Sequence, residues 1–115
     1  MFIKSISAVV AAALFSTSAF ASTVKTTMLS SWYGGYFHGR TTANGETYDM
    51  YGHTAAHKSL PFGTQLRVCY KGCVDVRIND RGPYIGFREL DLSYGAASAI
   101  GLTKPGVDYV SFTYI

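Results

Sequence analysis

The chain has 115 residues, of which 48% are hydrophobic and 15% charged, with a formal net charge of +3 and two cysteines. These figures exclude a multidomain enzyme, a disordered tail and a multi-disulfide scaffold, and leave one small globular domain. The basic excess is small and dispersed, so no nucleic-acid partner is expected, since phosphate neutralisation normally shows as a basic stripe or run.

The N-terminus reads as a leader. Met1 to Lys4 carry a positive charge, Ile6 to Phe15 form an apolar run of about ten residues, and Ala19-Phe20-Ala21 supplies a cleavage site. The run is too short for a membrane span, which needs about 20 apolar residues. A signal peptide over residues 1–21 and a domain over residues 22–115 are therefore expected, the protein being periplasmic or secreted. No cysteine directly follows Ala21, so no lipid anchor is expected, and the domain is expected to be a monomer.

Predicted elements follow in order. Thr27 to Tyr33 and Thr64 to Cys69 read as strands. Val74, Val76 and Ile78 alternate with Asp75, Arg77 and Asn79, and Val110, Phe112 and Tyr114 with Ser111 and Thr113, as in strands with one buried face. Glu89 to Leu92 reads as another strand, with short extended pieces near Tyr48 to Met50 and Thr54 to Ala56. The one predicted helix is the alanine-rich run Tyr94 to Ile100, which Ser93 caps and Gly101 ends. Mainly β structure with one short helix and many strand edges points to a closed barrel.

Three places carry chemistry. The irregular stretch Gly34 to Gly63, with the residues just before it, holds Trp32, Tyr33, Tyr36, Phe37, Tyr48 and Tyr51 beside His38, Arg40, Glu46, Asp49, His53 and His57. Long loops of this kind are often functional. Aromatic faces next to hydrogen-bonding side chains suit a sugar groove, although the same aromatics could fill a small core. Asn79-Asp80-Arg81-Gly82-Pro83 suits an ordinary turn, but Arg81 beside Asp80 could equally hold substrate. Cys69 and Cys73 flank a tight hairpin in an oxidising compartment, which favours a disulfide over a zinc site or a redox dithiol. No metal is expected: a four-residue spacing of His53 and His57 helps only on a helix, and this stretch does not read as one.

Seven motifs occur in the order seen in the rare lipoprotein A (RlpA) family: Ser31-Trp32-Tyr33-Gly34, Phe37-His38-Gly39-Arg40, Thr42-Ala43-Asn44-Gly45-Glu46, Thr54-Ala55-Ala56-His57, Leu60-Pro61-Phe62-Gly63-Thr64, Asn79-Asp80-Arg81-Gly82-Pro83 and Asp91-Leu92-Ser93. The chain resembles that family from about Leu29 to Ile115. The resemblance implies a six-stranded double-psi β-barrel, related to barwin and expansin domains. It also implies a lytic transglycosylase acting on peptidoglycan glycan strands poor in stem peptides, without a cofactor. In that reaction the C6 hydroxyl of the substrate's own N-acetylmuramic acid attacks, giving a 1,6-anhydro end. One carboxyl group can then serve as acid and base, where a hydrolase commonly needs two.

Carried over residue by residue, Asp80 looks like the family's acid/base, with Glu46 and His57 at the other polar positions of its groove. An acid working near neutral pH needs burial or a nearby negative charge such as Glu46. Arg81 is then expected to point away from the carboxylate, toward backbone or substrate, while Trp32, Tyr33, Phe37, Arg40 and Arg81 would bind glycan. Asp91 also matches a family position, but its place before Ser93 favours a structural role in holding backbone amides. The better-known members carry a lipid-acceptor cysteine and a separate C-terminal glycan-binding domain, neither of which is recognisable in this sequence, so septal targeting is not implied. Two other functions use the same fold: a non-catalytic expansin-like wall binder and a small secreted inhibitor.

Overall fold

The computed structural model describes residues 24–115, and the expected leader lies outside them. Seven elements follow in chain order: β1 (Thr27–Tyr33), β2 (Thr54–His57), β3 (Gln65–Cys69), β4 (Cys73–Asp80), β5 (Leu90–Ser93), α1 (Tyr94–Ile100) and β6 (Asp108–Tyr114). The strands close a mixed barrel in the order β1-β5-β2-β4-β3-β6. The pairs β1/β5 and β2/β4 are parallel, and the other four neighbouring pairs are antiparallel. With one short helix among the described residues, this is the double-psi β-barrel that the sequence implied.

Period-two alternation supplies the core. Val74, Val76 and Ile78 of β4 face inward with Leu66 and Val68 of β3, Leu90 and Leu92 of β5, and Val110 and Phe112 of β6. The helix α1 packs against β4, β5 and β1 and buries Ala96, Ala97 and Ile100. Its cap is the expected one: Ser93 Oγ accepts from the Ala96 amide at 3.3 Å and donates to the Gly52 carbonyl at 2.6 Å. Gly101 ends the helix at φ 81°. Gly95 is required by close packing, since a Cβ there would lie 2.5 Å from the Tyr51 carbonyl oxygen. Cys69 and Cys73 are register partners across the β3–β4 hairpin and form the disulfide.

Two elements differ from expectation. Residues 48–50 are not a strand: Tyr48 is buried, stacks on Tyr33 with ring centroids 4.4 Å apart, and donates its hydroxyl to the Tyr33 carbonyl at 2.6 Å. The backbone there is held by a loop instead, through Tyr48 N–H to Arg40 and Gly39 N–H to Tyr48, with a single bridge between Thr41 and Thr47. The strand β4 runs on through Asn79 to Asp80, so the Asn79-Asp80 pair belongs to the sheet and the turn begins after it.

Candidate active site

The register of β2 places two carboxylates together. This strand lies between β5 and β4, and its Ala55 pairs with Leu92 and Ile78, all three in the core. One residue on, Ala56 pairs with Asp91 on one side and Asp80 on the other, and these face the opposite way, out of the core. The two acids are thus separated by one small alanine and two interstrand spacings, roughly 10 Å between backbones.

Asp80 reaches that face through a bulge. The β2/β4 register skips from Ile78 to Asp80, leaving Asn79 as an extra residue on β4. Strict alternation would turn Asp80 to the same face as Ile78, into the core; one inserted residue reverses it. The alternating pattern of Val74, Val76 and Ile78 does not announce this reversal.

Asp80 and Asp91 line one cavity of about 280 Å³, together with Ala56 and Tyr33. Its walls are apolar: Phe37 from the β1–β2 loop and Pro83, Tyr84 and Ile85 from the β4–β5 loop. Gly82, at φ 114°, turns the chain into that second wall. Tyr84 and Ile85 remain largely exposed, and Phe87 beyond them is 91% exposed.

The carboxylates differ in environment. Asp80 Oδ1 accepts from the backbone amides of Ala43 and Arg81, both at 2.9 Å, and Oδ2 lies 3.5 Å from the Tyr33 hydroxyl. Burial, reinforced by Asp80, raises the Tyr33 phenol far above its usual value, so it stays a donor. Asp91 is largely buried and accepts from Ser31 Oγ at 3.0 Å. Burial pushes its carboxyl up to about 6; the Ser31 hydrogen bond and Arg88 pull it down, and Asp80 adds to the rise.

Of the other polar residues singled out from sequence, Arg81 lines the cavity, whereas Glu46, His57 and Arg40 do not. Arg81 does turn away from the Asp80 carboxylate: its guanidinium donates to the carbonyls of His57 and Leu60 and stacks over Phe62 at 3.9 Å. Glu46 does not line the cavity; it pairs with Arg77 at 2.7 Å and accepts from Asn79 Nδ2 at 3.2 Å. Hydrogen bonding to Arg77 chiefly holds its carboxyl down at about 2, so Glu46 is ionised with its charge met by Arg77, and the negative neighbour that raises Asp91 is Asp80. His57 is absent from the lining too. Its Nδ1 accepts from the amides of Ser59 and Leu60 and caps a turn, and burial lowers its pKa.

Trp32 packs on the core and donates its indole N–H to the Thr103 carbonyl, away from the cavity, because β1 directs it toward α1 and Tyr94. Arg40 folds back over the Tyr36 ring at 4.3 Å. Of the aromatic candidates, Tyr33 and Phe37 reach the cavity. Asp91, expected from sequence to be structural, lines the cavity, as do Tyr84 and Ile85, which the sequence did not single out. The signal for Asp91 was its position between Leu90 and Leu92, which marks it as the outward residue of a buried strand.

The model of a family described as lytic transglycolase matches residues 25–112. The chain belongs to that family. Among curated relatives, it is 51% identical over 90 residues to a probable endolytic peptidoglycan transglycosylase RlpA of Synechocystis, covering 76% of this chain and 28% of the relative. It is 53% identical over 79 residues to the endolytic peptidoglycan transglycosylase RlpA of Pseudomonas aeruginosa PAO1, covering 66% of this chain and 23% of the relative. The chain thus spans about a quarter of the length of these relatives.

Solved structures share the barrel. An apo expansin of Clavibacter michiganensis superposes with TM-score 0.63 at 25% identity, over 78% of this chain and 50% of that one. A Streptomyces papain inhibitor superposes with TM-score 0.60 at 21% identity, over 79% of this chain and 96% of that one. At that identity the likeness to the inhibitor is one of fold. Among the described residues no cluster of three or more His, Cys, Asp and Glu side chains could hold a metal, and no helix is long and apolar enough to cross a membrane.

Proposed function

We propose that this chain is a peptidoglycan lytic transglycosylase domain that cleaves the glycosidic bond between N-acetylmuramic acid and N-acetylglucosamine to leave a 1,6-anhydro end, acting outside the cytoplasm on glycan poor in stem peptides. The observation that carries the reading is the pair Asp80 and Asp91 facing one aromatic-walled cavity across Ala56. The transglycosylase activity for which relatives about 50% identical are named supports it.

The environments of the two acids suggest a division of labour that differs from the sequence expectation. Asp91, with its raised pKa, keeps a protonated fraction near neutral pH and donates that proton to the leaving glycosidic oxygen. As the bond from the anomeric carbon to that oxygen breaks, positive charge develops on the sugar ring, and the Asp80 carboxylate faces it from the next strand but one. The C6 hydroxyl then attacks the anomeric carbon and returns its proton to Asp91. No water is consumed, and both carboxyls end as they began. Phe37, Tyr84 and Ile85 offer apolar faces to the C–H faces of the sugars on either side.

The test is incubation of the purified chain with intact and amidase-stripped sacculi, beside Asp91→Asn and Asp80→Asn, with soluble products read by mass spectrometry. Release of 1,6-anhydro fragments by the wild type, and at least 100-fold less by both variants, is expected. Retained binding to the insoluble wall without release would replace the enzyme by an expansin-like binder.

A further inference from the structure

Glu46 lies outside the cavity, with both carboxylate oxygens bonded to side chains of β4. It sits in the loop between β1 and β2, closed by the Thr41–Thr47 bridge. Inside that loop Asn44 Oδ1 accepts from Thr42 Oγ1 at 2.7 Å and from the Glu46 amide at 3.1 Å, and the Thr42 amide donates to the Glu46 carbonyl at 2.7 Å. Besides the Ala43 amide to Asp80, three further bonds lay the loop against the end of β4. The Asn44 amide donates to the Asn79 carbonyl, and the Glu46 carboxylate accepts from Arg77 through one oxygen and from Asn79 Nδ2 through the other.

Both places that Glu46 holds bear on Asp80. Asn79 is the extra residue of the bulge that turns Asp80 out of the core, and it is 2% exposed. The loop that Glu46 closes carries the Ala43 amide, one of the two donors on Asp80 Oδ1. We infer that Glu46 is a positioning residue: it clamps the bulge and the 41–47 loop so that Asp80 is aimed into the cavity with Oδ1 fixed by two backbone amides and Oδ2 turned toward the Tyr33 hydroxyl. This rests on the proposed transglycosylase reading for its effect on rate, but not for its effect on structure.

The positioning role and a catalytic one predict opposite outcomes for Glu46→Gln. A catalytic carboxylate is lost as fully in Glu46→Gln as in Glu46→Ala. A clamp is not, because Arg77 can still donate to the remaining oxygen and the new amide nitrogen needs only an acceptor. Asn79 offers one: its Oδ1 is buried without a partner, so turning the Asn79 amide over presents that oxygen to the new donor. Asn44→Ala is the second probe, since it removes the Oδ1 acceptor that ties the loop together while leaving the Arg77 and Asn79 donors to the Glu46 carboxylate in place.

The experiment reads two quantities on the purified chain: hydrogen-exchange protection of the Ala43 amide, and release of 1,6-anhydro products from amidase-stripped sacculi. Glu46→Ala and Asn44→Ala should each cut Ala43 protection at least tenfold and kcat by about 10- to 100-fold with KM little changed, the loss expected of a misplaced group. Glu46→Gln should restore both to within a few-fold of wild type. A Glu46→Gln variant as slow as Glu46→Ala with Ala43 still protected would overturn the inference in favour of a catalytic role. Undiminished Ala43 protection in Glu46→Ala or, if that variant does not fold, in Asn44→Ala would overturn it outright. Should the wild type release no fragments, the transglycosylase reading fails, and the exchange data still decide whether the clamp exists.

Discussion

If Asp91 is the acid, its burial must cost stability, and the size of that cost can be worked out. Its carboxyl rises from 3.8 to about 6 on folding, a shift of about 2 pH units, or about 3 kcal/mol. Because the folded value is the higher one, the favourable contribution is fully present below about pH 4 and is lost as pH rises through about 6. The native state above pH 7 thus carries an ionised Asp91 that opposes folding. Asp91→Asn keeps an oxygen for the Ser31 hydroxyl and removes the titration. Urea unfolding at pH 4 and pH 8 should therefore show wild type and variant nearly equal in acid, with the variant more stable by about 3 kcal/mol at pH 8, a rise in Tm of roughly 10 °C or more. The same substitution should abolish fragment release, and wild-type kcat/KM should fall about tenfold per pH unit above about 6. A stability gap that stays the same at both pH values would refute the assignment of Asp91 as the buried, perturbed acid.

Other outcomes follow from the same geometry. Phe37→Ala and Tyr84→Ala should each weaken sedimentation of the chain with amidase-stripped sacculi by roughly tenfold, the loss of one aromatic contact of about 1.5 kcal/mol, while leaving Tm unchanged. His57→Ala should leave kcat near wild type and lower stability by about 1–2 kcal/mol in urea titration, because two turn amides lose their acceptor. That contribution is present above pH 6.5 and fades as pH falls, since His57 has a lowered pKa and its Nδ1 must stay unprotonated to accept. Gly95→Ala should destabilise by about 1–3 kcal/mol or more in thermal melts, as its Cβ meets the backbone of Tyr51. Replacing Cys69 and Cys73 by serine should cost about 2 kcal/mol, the value for so short a closed loop.

Much of the barrel was legible because its strands obey simple rules. β1 and α1 came out with their bounds as read, since each combines a clear hydrophobic period with a clear stop: Gly34 after Tyr33, and the Ser93 cap with Gly101 at the ends of the helix. Strand order was not legible from period or turn chemistry. The parallel pairs β1/β5 and β2/β4 join segments about 60 and 23 residues apart, and local sequence carries no record of such pairing; the resemblance supplied the type of barrel and not the pairing. The segment 48–50 misled because a buried tyrosine flanked by polar residues looks like a short strand, whereas Tyr48 is fixed by stacking on Tyr33.

The site was harder to read because its residues are assembled by register. Glu46, His57 and Asp80 looked like one group, being polar residues in marked motifs. In the fold, Glu46 turns to Arg77 and His57 turns to its own loop, leaving Asp80 beside Asp91. Asp91 looked structural because it precedes a helix cap, yet the Ser93 hydroxyl performs the capping alone. What distinguishes Asp91 is the pairing of β5 with both β1 and β2, which buries it between Ser31 and Ala56. An acid with short neighbours on both sides has room for a substrate in front of it, and among the described residues Asp91 makes no ion pair, Arg88 acting on it only from a distance. A larger residue at position 56 should test this arrangement directly. Ala56→Val adds two methyl groups between the carboxylates, in a cavity of about 280 Å³, and should raise KM and slow fragment release while the core, which Ala56 faces away from, keeps its stability to within about 1.5 kcal/mol. Unchanged kinetics in that variant would mean that substrate does not pass between the two acids.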